Sequence, residues 1–583
     1  MSDEVEGDVT ADGRPERGPG EDKAGDPVDD LRDDEVAGQP PRDRRRARTV
    51  AAWVTTALAC ALVLFALVAP NELSRLKPGA FVRIPVEALV GVGLVLVLSA
   101  RPRRVAAVIV GGALGLLSIV KILDMGFFAA FARPFDPMFD WSFIPPAVEF
   151  LTRSVGRPGA IGAVVAAAVL AVAVPILMTL SVLRLTRLVA GNRATATRTV
   201  VALGVAWVTC AVLGVQIVPG VPVAAASAAG LTYDQLRQVR TDLRDQGAFA
   251  AAASVDAFRN TPGADLLSAL RGKDVIIAFV ESYGRVAVEH PELAPQVGAV
   301  LDAGNRRLRA AGFDSRSAFL TSPTAGGGSW LAHSTLQSGL WIDNQRSYGE
   351  VLVSQRVTLT GAFRRAGWRT VDVVPANDRD WPEGITFYGY DRIYDSRNLG
   401  YRGPEFSFAS VPDQYTLSAF ERSERARPNR APVMAEIDLF SSHAPWAPIP
   451  QLIDWDDVGD GSVFDAATGA GDPADVVFQR NITKVRTDYR LSIEYSLNTL
   501  ISYVETYGND DLVLIFLGDH QPAPVVTGAG ASRDVPVTIV ARDRAVLDRI
   551  SGWGWQDGLN PGPHAPVWRM DAFRDRFLNA FGP

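Results

Sequence analysis

Hydrophobic residues are distributed in two different ways along the 583-residue chain. Apolar runs of roughly 20 residues, the length that crosses a bilayer as a helix, occur only before about residue 222. Beyond about residue 273, short apolar runs of strand length alternate with stretches whose apolar residues recur at helical spacing. This pattern predicts a transmembrane helical bundle followed by an α/β domain with a central, mostly parallel sheet.

The apolar runs predict five membrane-spanning helices. They cover about 49–70, 85–100, 104–124, 160–183 and 198–219. Arginine is concentrated before the first run, between the second and third, and between the fourth and fifth. The positive-inside rule therefore places the N-terminus in the cytoplasm, and an odd number of spans exports the chain after about residue 222 across the plasma membrane.

Composition defines the segments around these spans. Residues 1–48 are predicted to be a disordered cytoplasmic tail, because most of them are Asp, Glu, Gly, Pro or Arg. The transmembrane domain covers 49–222. Residues 223–272 should connect it to the exported domain, 273–583, through a helix that begins at Thr232 with a capping box.

Charge and cysteine content exclude some functions. The net charge of −7 gives no support for nucleic-acid binding. The two cysteines, Cys60 and Cys210, lie in apolar runs, so no disulfide or thiolate metal site is expected in the exported domain. Lys121 and Asp124, at the end of the third span, are expected to be structural, either snorkelling to the interface or pairing with each other.

The exported domain has nine predicted elements. Its strands are predicted at 274–280, 370–374, 432–439, 511–517 and 535–541, and its helices at 291–311, from 329, at 355–367 and at about 480–506.

Three of these strands end in reactive side chains. The first is followed by Glu281, the third by the sequence Ser-Ser-His443, and the fourth by Asp519 and His520. The carboxyl ends of parallel strands share one edge of a sheet, where α/β proteins place their ligands. If the strands are parallel neighbours, these side chains converge.

The glycine-rich stretch 321–330, which contains Gly326, Gly327 and Gly328, leads into the helix predicted from Ser329. Glycines allow the backbone to approach a ligand closely, and the amides of a first helical turn favour an anion. Ser329 would therefore face a bound phosphate or sulfate. Thr321, Ser322 and Thr324 are rival hydroxyls in the same stretch, and we prefer Ser329 because it follows the glycines and starts the helix.

A serine needs a base or a metal to become a nucleophile. Glu281, Asp519 and His520 would form a carboxylate-rich site suited to Mn, Zn or Mg, with Ser329 as a further ligand. His443 is assigned to a substrate oxygen or to protonation of the leaving group. His333, one turn after Ser329, is either a base or a packed histidine.

The order of these motifs resembles the sulfatase-like branch of the alkaline phosphatase superfamily, most nearly the lipoteichoic acid synthases and the related phosphoglycerol and phosphoethanolamine transferases. Those proteins also carry five spans before an exported catalytic domain, so the likeness covers roughly 49–583. It implies one divalent metal, most often manganese, bound by Glu281, Ser329, Asp519 and His520. It also implies a covalent intermediate on Ser329 and a substrate contact from His443.

In the transferases that this chain resembles, a polar and aromatic segment at the position of 375–381 binds the phospho-head group of the substrate. This makes Asn377, Arg379 and Trp381 candidates for substrate binding, although a surface loop anchored by Trp381 explains the same residues. Trp446, in the long loop after His443, is a further candidate on the substrate side.

The resemblance predicts an extracytoplasmic, metal-dependent transferase or hydrolase of phosphoryl-alcohol groups, acting on a lipid or cell-envelope substrate. Serine replaces the usual threonine nucleophile. The Cys/Ser-x-Pro-x-Arg signature of formylglycine sulfatases is missing at Ser322, which disfavours sulfate esters. The alternatives are a sulfatase or phosphodiesterase that uses water, and a non-catalytic envelope-binding receptor.

Overall fold

The computed structural model describes residues 42–218, 221–406, 411–464 and 481–583. Most of the predicted tail lies outside these residues. The helices up to residue 254 are α1 Arg42–Val68, α2 Val86–Val97, α3 Ala100–Phe131, α4 Ile144–Gly191, α5 Arg193–Val212 and α6 Ser227–Ser254. The short strands between them are β1 Ile84–Pro85, β2 Gln216–Val218, β3 Val221–Pro222 and β4 Ala224–Ala225.

Four helices of the described chain are long and apolar enough to cross a membrane, namely α1, α3, α4 and α5. The second predicted span is only the 12-residue α2, which is shorter than the roughly 20 residues that a crossing needs. Helix α4 is kinked at Gly156, where φ is +76°. The structure therefore contains a membrane-type helical domain, and the count of five spans stays a prediction.

Lys121 and Asp124 do have structural partners, but they do not pair with each other. Lys121 Nζ donates to the carbonyl oxygens of Ala66 and Ala69, both at 2.7 Å, near the end of α1. Asp124 accepts from the Asn71 side chain at 2.8 Å and from the backbone N–H of Phe135 at 3.0 Å. Both charged groups thus satisfy backbone or amide groups where helices end.

The predicted connecting helix exists, but the prediction that it begins at Thr232 is wrong. Helix α6 begins at Ser227, five positions before Thr232. Thr232 therefore lies inside the helix and its hydroxyl donates to the carbonyl oxygen of Ala228 at 2.9 Å, so it forms no capping box.

The α/β domain follows. Its strands are β5 Asp274–Val280, β6 Asp314–Thr321, β7 Arg369–Val374, β8 Arg392–Asp395, β9 Val433–Leu439, β10 Leu512–Gly518, β11 Asp534–Ala541, β12 Gln556–Asp557 and β13 Val567–Arg569. Its α-helices are α7 Val286–Glu289, α8 Ala294–Ala310, α9 Ser329–Ser338, α10 Gln345–Leu352, α11 Leu359–Arg365, α12 Asp413–Phe420, α13 Ile482–Tyr507, α14 Pro524–Thr527, α15 Arg544–Arg549 and α16 Ala572–Ala580.

These strands form one nine-stranded sheet in the order β12-β6-β11-β10-β5-β9-β7-β8, with β13 paired to β6. Strands β10, β5, β9, β7 and β8 are mutually parallel. Strand β11 is antiparallel to both of its neighbours, so β6 again runs in the direction of β10. The predicted α/β domain with a mostly parallel sheet is therefore confirmed.

The central strands are buried on both faces, which explains why they read as unbroken apolar runs. Every residue of β5, β9, β10 and β11 is buried. Alternate residues of these strands belong to two hydrophobic clusters, one on each face. Ile276 and Ile437 lie in one cluster, and Ile277 and Met434 lie in the other. The sheet is thus the middle layer between two layers of helices.

Candidate active site

The predicted convergence of strand ends depends on β5 and β10, and these two strands are parallel neighbours. Val280 is paired with Gly518 at the last position of each strand. Glu281 and Asp519 are the next residues, so the pairing puts them side by side at the carboxyl edge of the sheet. The Ser282 amide donates to Asp519 Oδ1 at 2.8 Å, which connects the two strand ends directly.

The glycine stretch brings Ser329 to the same edge. Strand β6 runs in the direction of β10 and leads into Gly326, Gly327 and Gly328, all of which have positive φ. Gly328, at φ +81°, precedes the first residue of α9, which is Ser329. L residues rarely adopt these backbone angles, so the tight turn into the helix requires glycine. The sequence prediction that the helix starts at Ser329 is confirmed.

Four polar side chains meet there, and we call Glu281, Ser329, Asp519 and His520 the primary cluster. Ser329 Oγ lies 3.1 Å from Glu281 Oε2 and 3.3 Å from His520 Nε2. His520 Nε2 lies 3.4 Å from Glu281 Oε1 and 3.3 Å from Asp519 Oδ2. Ligand atoms of the two carboxylates and the imidazole all lie within 4.8 Å of one another.

These donors fit a divalent metal ion. Asp519 Oδ1 accepts the amides of Ser282 and His520, whereas its buried Oδ2 accepts no hydrogen bond from the described part of the chain. Burial, followed by the charge of Glu281, raises the pKa of Asp519 to about 6. Two close, buried carboxylates need a compensating cation, and one imidazole with carboxylate oxygens suits Mn or Zn.

The rival hydroxyls of the glycine stretch all serve its backbone or a neighbouring strand. Thr321 Oγ1 donates to Asp534 Oδ1 at 2.8 Å, and Thr324 Oγ1 donates to the carbonyl oxygen of Gly327 at 2.6 Å. Ser322 Oγ donates to the carbonyl oxygen of Asp519 at 2.6 Å. Of these four hydroxyls, that of Ser329 is the one that contacts the side chains of Glu281 and His520.

His443 follows β9, the strand on the other side of β5. Its ring is stacked on Phe440, with centroids 5.6 Å apart, and its Nδ1 lies 2.5 Å from the carbonyl oxygen of Ala444. Burial lowers the pKa of His443 to about 4. The neutral ring that results donates from Nδ1 to this carbonyl oxygen, which leaves Nε2 as a hydrogen-bond acceptor.

His333 contacts an aromatic ring and two carboxylates. Its ring is stacked on Phe279 with centroids 3.8 Å apart. Its Nδ1 lies 2.9 Å from Glu436 Oε1 and 3.5 Å from Asp438 Oδ1. Burial by itself lowers the pKa of His333, but the charges of Asp438 and Glu436 outweigh burial and raise it to about 10.

The segment with Asn377, Arg379 and Trp381 is held by its own contacts. The Asn377 side chain bonds the N–H and the carbonyl oxygen of Arg379. Arg379 pairs with Glu149 at 2.8 Å, and Trp381 packs against Tyr388. Within the described residues, none of the contacts recorded for these three is to the primary cluster. Their substrate role therefore stays a prediction.

Trp446 lies in the hydrophobic core. Its side chain is 3% exposed and packs edge-on against Tyr489, with ring centroids 5.7 Å apart. Its predicted contact with the substrate stays a prediction.

The sequence analysis missed a second group of acidic residues, Asp372, Glu436 and Asp438. Asp372 is paired with Glu436 across β7 and β9, and all three are buried. Burial, together with the charges of Asp438 and Glu436, raises the pKa of Asp372. A signal was present, because Glu436 and Asp438 interrupt an otherwise apolar strand at alternate positions and so point to one face.

The glycine stretch also contacts the membrane-type helices. A Cβ added to Gly326 would lie 1.7 Å from the carbonyl oxygen of Ala130, near the end of α3. Trp330 packs on Phe143 with ring centroids 5.5 Å apart, just before α4. The nucleophile candidate therefore sits next to the ends of apolar helices.

No protein-family model matches the chain, and no curated protein matches it. Solved structures do match. The lipoteichoic acid synthase LtaP of Listeria monocytogenes is 17% identical, with a TM-score of 0.36 and coverage of 54% of this chain and 73% of that one. The C-terminal periplasmic domain of EcEptC from Escherichia coli is 10% identical, with a TM-score of 0.35 and coverage of 53% and 82%.

A third match is the soluble domain of lipooligosaccharide phosphoethanolamine transferase A from Neisseria meningitidis, at 13% identity, a TM-score of 0.36 and coverage of 53% and 88%. The matched structures thus include the synthase and transferase classes that the sequence motifs resemble. At these TM-scores no activity is carried over to this chain, and its function is argued from its own residues.

Proposed function

We propose that this protein is a membrane-anchored, metal-dependent transferase that moves a phosphoryl-alcohol group through a covalent intermediate on Ser329. The observation that carries the proposal is the contact of Ser329 Oγ with both Glu281 Oε2 and His520 Nε2, at 3.1 and 3.3 Å. A hydroxyl at the start of a helix, among metal-type ligands, has the arrangement of an activated nucleophile.

Glu281, Asp519 and His520 would hold the metal, which the sequence resemblance implies is manganese, with Zn or Mg as alternatives. When bound, such an ion favours the ionised form of a neighbouring hydroxyl and neutralises charge on a transferring phosphoryl group. The buried Asp519 Oδ2, which accepts no hydrogen bond from the described residues, supports a ligand at this point.

The residues of the chain account for the other parts of the reaction. Ser329 Oγ forms a bond to phosphorus while the bond from phosphorus to the donor alcohol breaks. The departing alcohol takes up the proton that Ser329 Oγ loses. The first amides of α9 face the phosphoryl oxygens. Neutral His443 can accept the proton of the incoming acceptor hydroxyl at Nε2 while the acceptor oxygen bonds to phosphorus. The bond from phosphorus to Ser329 Oγ then breaks, and Ser329 Oγ takes up a proton, which restores its hydroxyl.

The position of the helices supports a substrate from the membrane or envelope. Ala130 and Phe143, at the ends of α3 and α4 nearest the site, contact the glycine stretch and Trp330. Arg103 and Arg187 lie at the other ends of these two helices. The positive-inside rule favours a cytoplasmic position for arginine-rich ends, which supports a site outside the cytoplasm.

The test is to trap the intermediate. The full-length protein in detergent, with Mn²⁺ and bis(4-nitrophenyl) phosphate, should release 4-nitrophenol and carry a 4-nitrophenyl phosphate adduct on the peptide that contains Ser329, detected by mass spectrometry. Ser329→Ala should show neither product, whereas Thr324→Ala, which removes a rival hydroxyl, should keep the adduct. Turnover by Ser329→Ala, or an adduct on Thr324, would refute the proposal.

A sulfatase is the second enzyme to test, because a serine and a divalent metal could also serve a sulfate ester. An aryl sulfate supplied to the same preparation should remain intact. Faster cleavage of the sulfate than of the phosphodiester would replace the transferase with a sulfatase. No turnover of either ester, with no adduct, would support the envelope-binding receptor.

A further inference from the structure

A second set of ligand-type side chains lies where α9 packs on β9. It consists of His333, Glu436 and Asp438, which we call the secondary cluster. His333 is one turn beyond Ser329, and the two carboxylates alternate along β9 so that they share a face. The distances from His333 Nδ1 are 2.9 Å to Glu436 Oε1 and 3.5 Å to Asp438 Oδ1. One ligand atom from each of the three residues lies within 4.8 Å of the other two.

The charges in this region do not balance. Glu436 and Asp438 are 3% and 8% exposed, and the carboxylate of Asp372 on the adjoining β7 is 3% exposed. Among the described residues, no lysine or arginine forms an ion pair with any of these three carboxylates, and His333 is the one basic partner recorded. Burying ionised carboxylates without a matching cation is costly, so a bound cation would stabilise this group.

One atom points to a ligand directly. Asp438 Oδ1 is buried, faces His333, and has no hydrogen-bond partner among the residues that the structure describes. The Nδ1 of His333 lies closer to Glu436, and a ring nitrogen carries only one proton to donate. A buried carboxylate oxygen left in this state calls for a bound ion or water.

The other atoms of the cluster are already fixed by neighbours. Glu436 Oε2 accepts hydrogen bonds from Tyr390, at 2.8 Å, and from the side chain of Gln337, which leaves Oε1 for the cluster. The His333 ring lies flat on Phe279, at an interplanar angle of 15°. Partners that orient a ligand in this way are typical of the outer shell of metal sites.

We propose that His333 Nδ1, Glu436 Oε1 and Asp438 Oδ1 bind a second divalent transition-metal ion in each chain, distinct from the ion proposed at the primary cluster. One imidazole nitrogen and two carboxylate oxygens suit Mn²⁺ or Zn²⁺ better than Ca²⁺, which prefers oxygen alone. The proposal goes beyond the transfer reaction and holds whether or not Ser329 is the nucleophile.

The test counts metal ions. The full-length protein in detergent is stripped with EDTA and dialysed against Mn²⁺, and the bound metal is measured by plasma mass spectrometry. Two equivalents are expected for the wild type and one for the Glu436→Gln/Asp438→Asn double variant. The Glu281→Gln/Asp519→Asn double variant should also keep one, and the variant with all four changes should bind none.

The matched control is Glu292→Gln/Asp302→Asn, which removes two exposed carboxylates and should keep two equivalents. The equivalent that Glu436→Gln/Asp438→Asn retains at the primary cluster shows that this variant is folded. His333→Gln gives a second measurement and should lower the Mn²⁺ affinity of the secondary cluster at least ~10-fold. One equivalent in the wild type, unchanged in Glu436→Gln/Asp438→Asn, would overturn the proposal and leave a protonated His333 as the counter-ion.

A failure of the proposed reaction gives a different result. Loss of the Ser329 adduct with two bound Mn²⁺ would refute the transferase and keep the second site. An adduct on Ser329 in a protein that binds a single Mn²⁺ would keep the transferase and refute the second metal site.

Discussion

Ser329 Oγ lies 3.3 Å from His520 Nε2, although 191 positions separate the two residues in the chain. The contact arises because α9 begins directly after the glycine stretch and because β10 ends beside β5. Ser329 also donates to Glu281 Oε2, so one hydroxyl connects an imidazole and a carboxylate that each follow a different strand.

The first prediction concerns the charge of Glu281. Glu281→Gln keeps the shape of the side chain but removes one of two carboxylates from the primary cluster. We expect the Mn²⁺ affinity of this cluster to fall at least ~100-fold, because removing a ligand costs at least as much as removing an outer-shell partner. Titration calorimetry of the Glu436→Gln/Asp438→Asn background isolates this cluster, and an unchanged affinity would contradict the assignment.

The second prediction concerns the glycine stretch. Gly326→Ala places a Cβ against the carbonyl oxygen of Ala130 and also has to adopt φ +73°. Overpacking of this kind costs about 1–3 kcal/mol beyond the backbone strain, and a displaced nucleophile should lower turnover at least ~10-fold. Thermal midpoints and initial rates in detergent measure the two effects.

Gly530→Ala is the matched control for that substitution. Gly530 has almost the same φ, +76°, and no heavy atom of the described chain lies within 4 Å of an added Cβ. It should therefore show the backbone strain alone, about 1–2 kcal/mol, with full turnover. Equal effects of the two substitutions would show that the contact with Ala130 has no consequence.

The third prediction is a dependence of stability on pH from Asp413. Burial raises the pKa of Asp413 from 3.8 to about 6, although Ser496 and the Ser441 amide donate to its oxygens. Because the folded pKa lies above the unfolded one, this residue stabilises the fold fully below pH 3.8, and the contribution is lost as pH rises through 6. The difference corresponds to about 3 kcal/mol.

Asp413→Asn removes this titration. Its melting temperature, relative to that of the wild type, should rise between pH 4 and pH 7, since only the wild type has to bury a charge at the higher pH. A difference between the two proteins that is constant over this range would contradict the raised pKa.

The fourth prediction concerns the buried pair Arg574 and Asp256, whose side chains are both 0% exposed. Arg574 Nη2 lies 2.5 Å from Asp256 Oδ1, and its Nη1 donates to the carbonyl oxygen of Ser338 at the end of α9. Arg574→Met removes the nearer of two cations from the buried Asp256 carboxylate, which keeps Arg356 at 3.9 Å, and should cost about 3–5 kcal/mol in the free energy of unfolding.

The control for this pair is Arg544→Met, because Arg544 is 84% exposed beside Asp314 and should change stability by less than about 0.5 kcal/mol. In the double variant Asp256→Asn/Arg574→Met, the cost should be smaller than the sum of the two single costs. Additive costs, measured by urea unfolding, would show that the two charges are not coupled.

Local pattern was enough to predict most elements of the exported domain. Strand β5 was located within its observed bounds because seven consecutive residues are buried and almost all are apolar. Strand β6 was missed, because Ser315, Arg316 and Ser317 break its apolar run, although the strand is paired with β11 along its full length. Backbone hydrogen bonds to β11 stabilise β6 at these polar residues. The periodicity of apolar side chains does not reveal such backbone pairing.

The same division applies to the site. Asp519, His520, Glu281 and Ser329 were recognised because each follows an element that its own neighbours define. The environment of Trp446 and the meeting of His333 with Glu436 and Asp438 could not be read in this way, since they depend on which face of a distant strand packs on which helix.

The sequence by itself determined the membrane-type helices, the central strands and the helix that begins at Ser329, because these follow from periodicity, glycine and burial over a few neighbouring residues. The tertiary structure decided that β5 lies between β9 and β10, that Asp519 Oδ2 accepts no hydrogen bond from the described residues, and that His333 faces Glu436 and Asp438. These relationships come from long-range strand pairing and helix packing, which bring residues together irrespective of their distance along the chain.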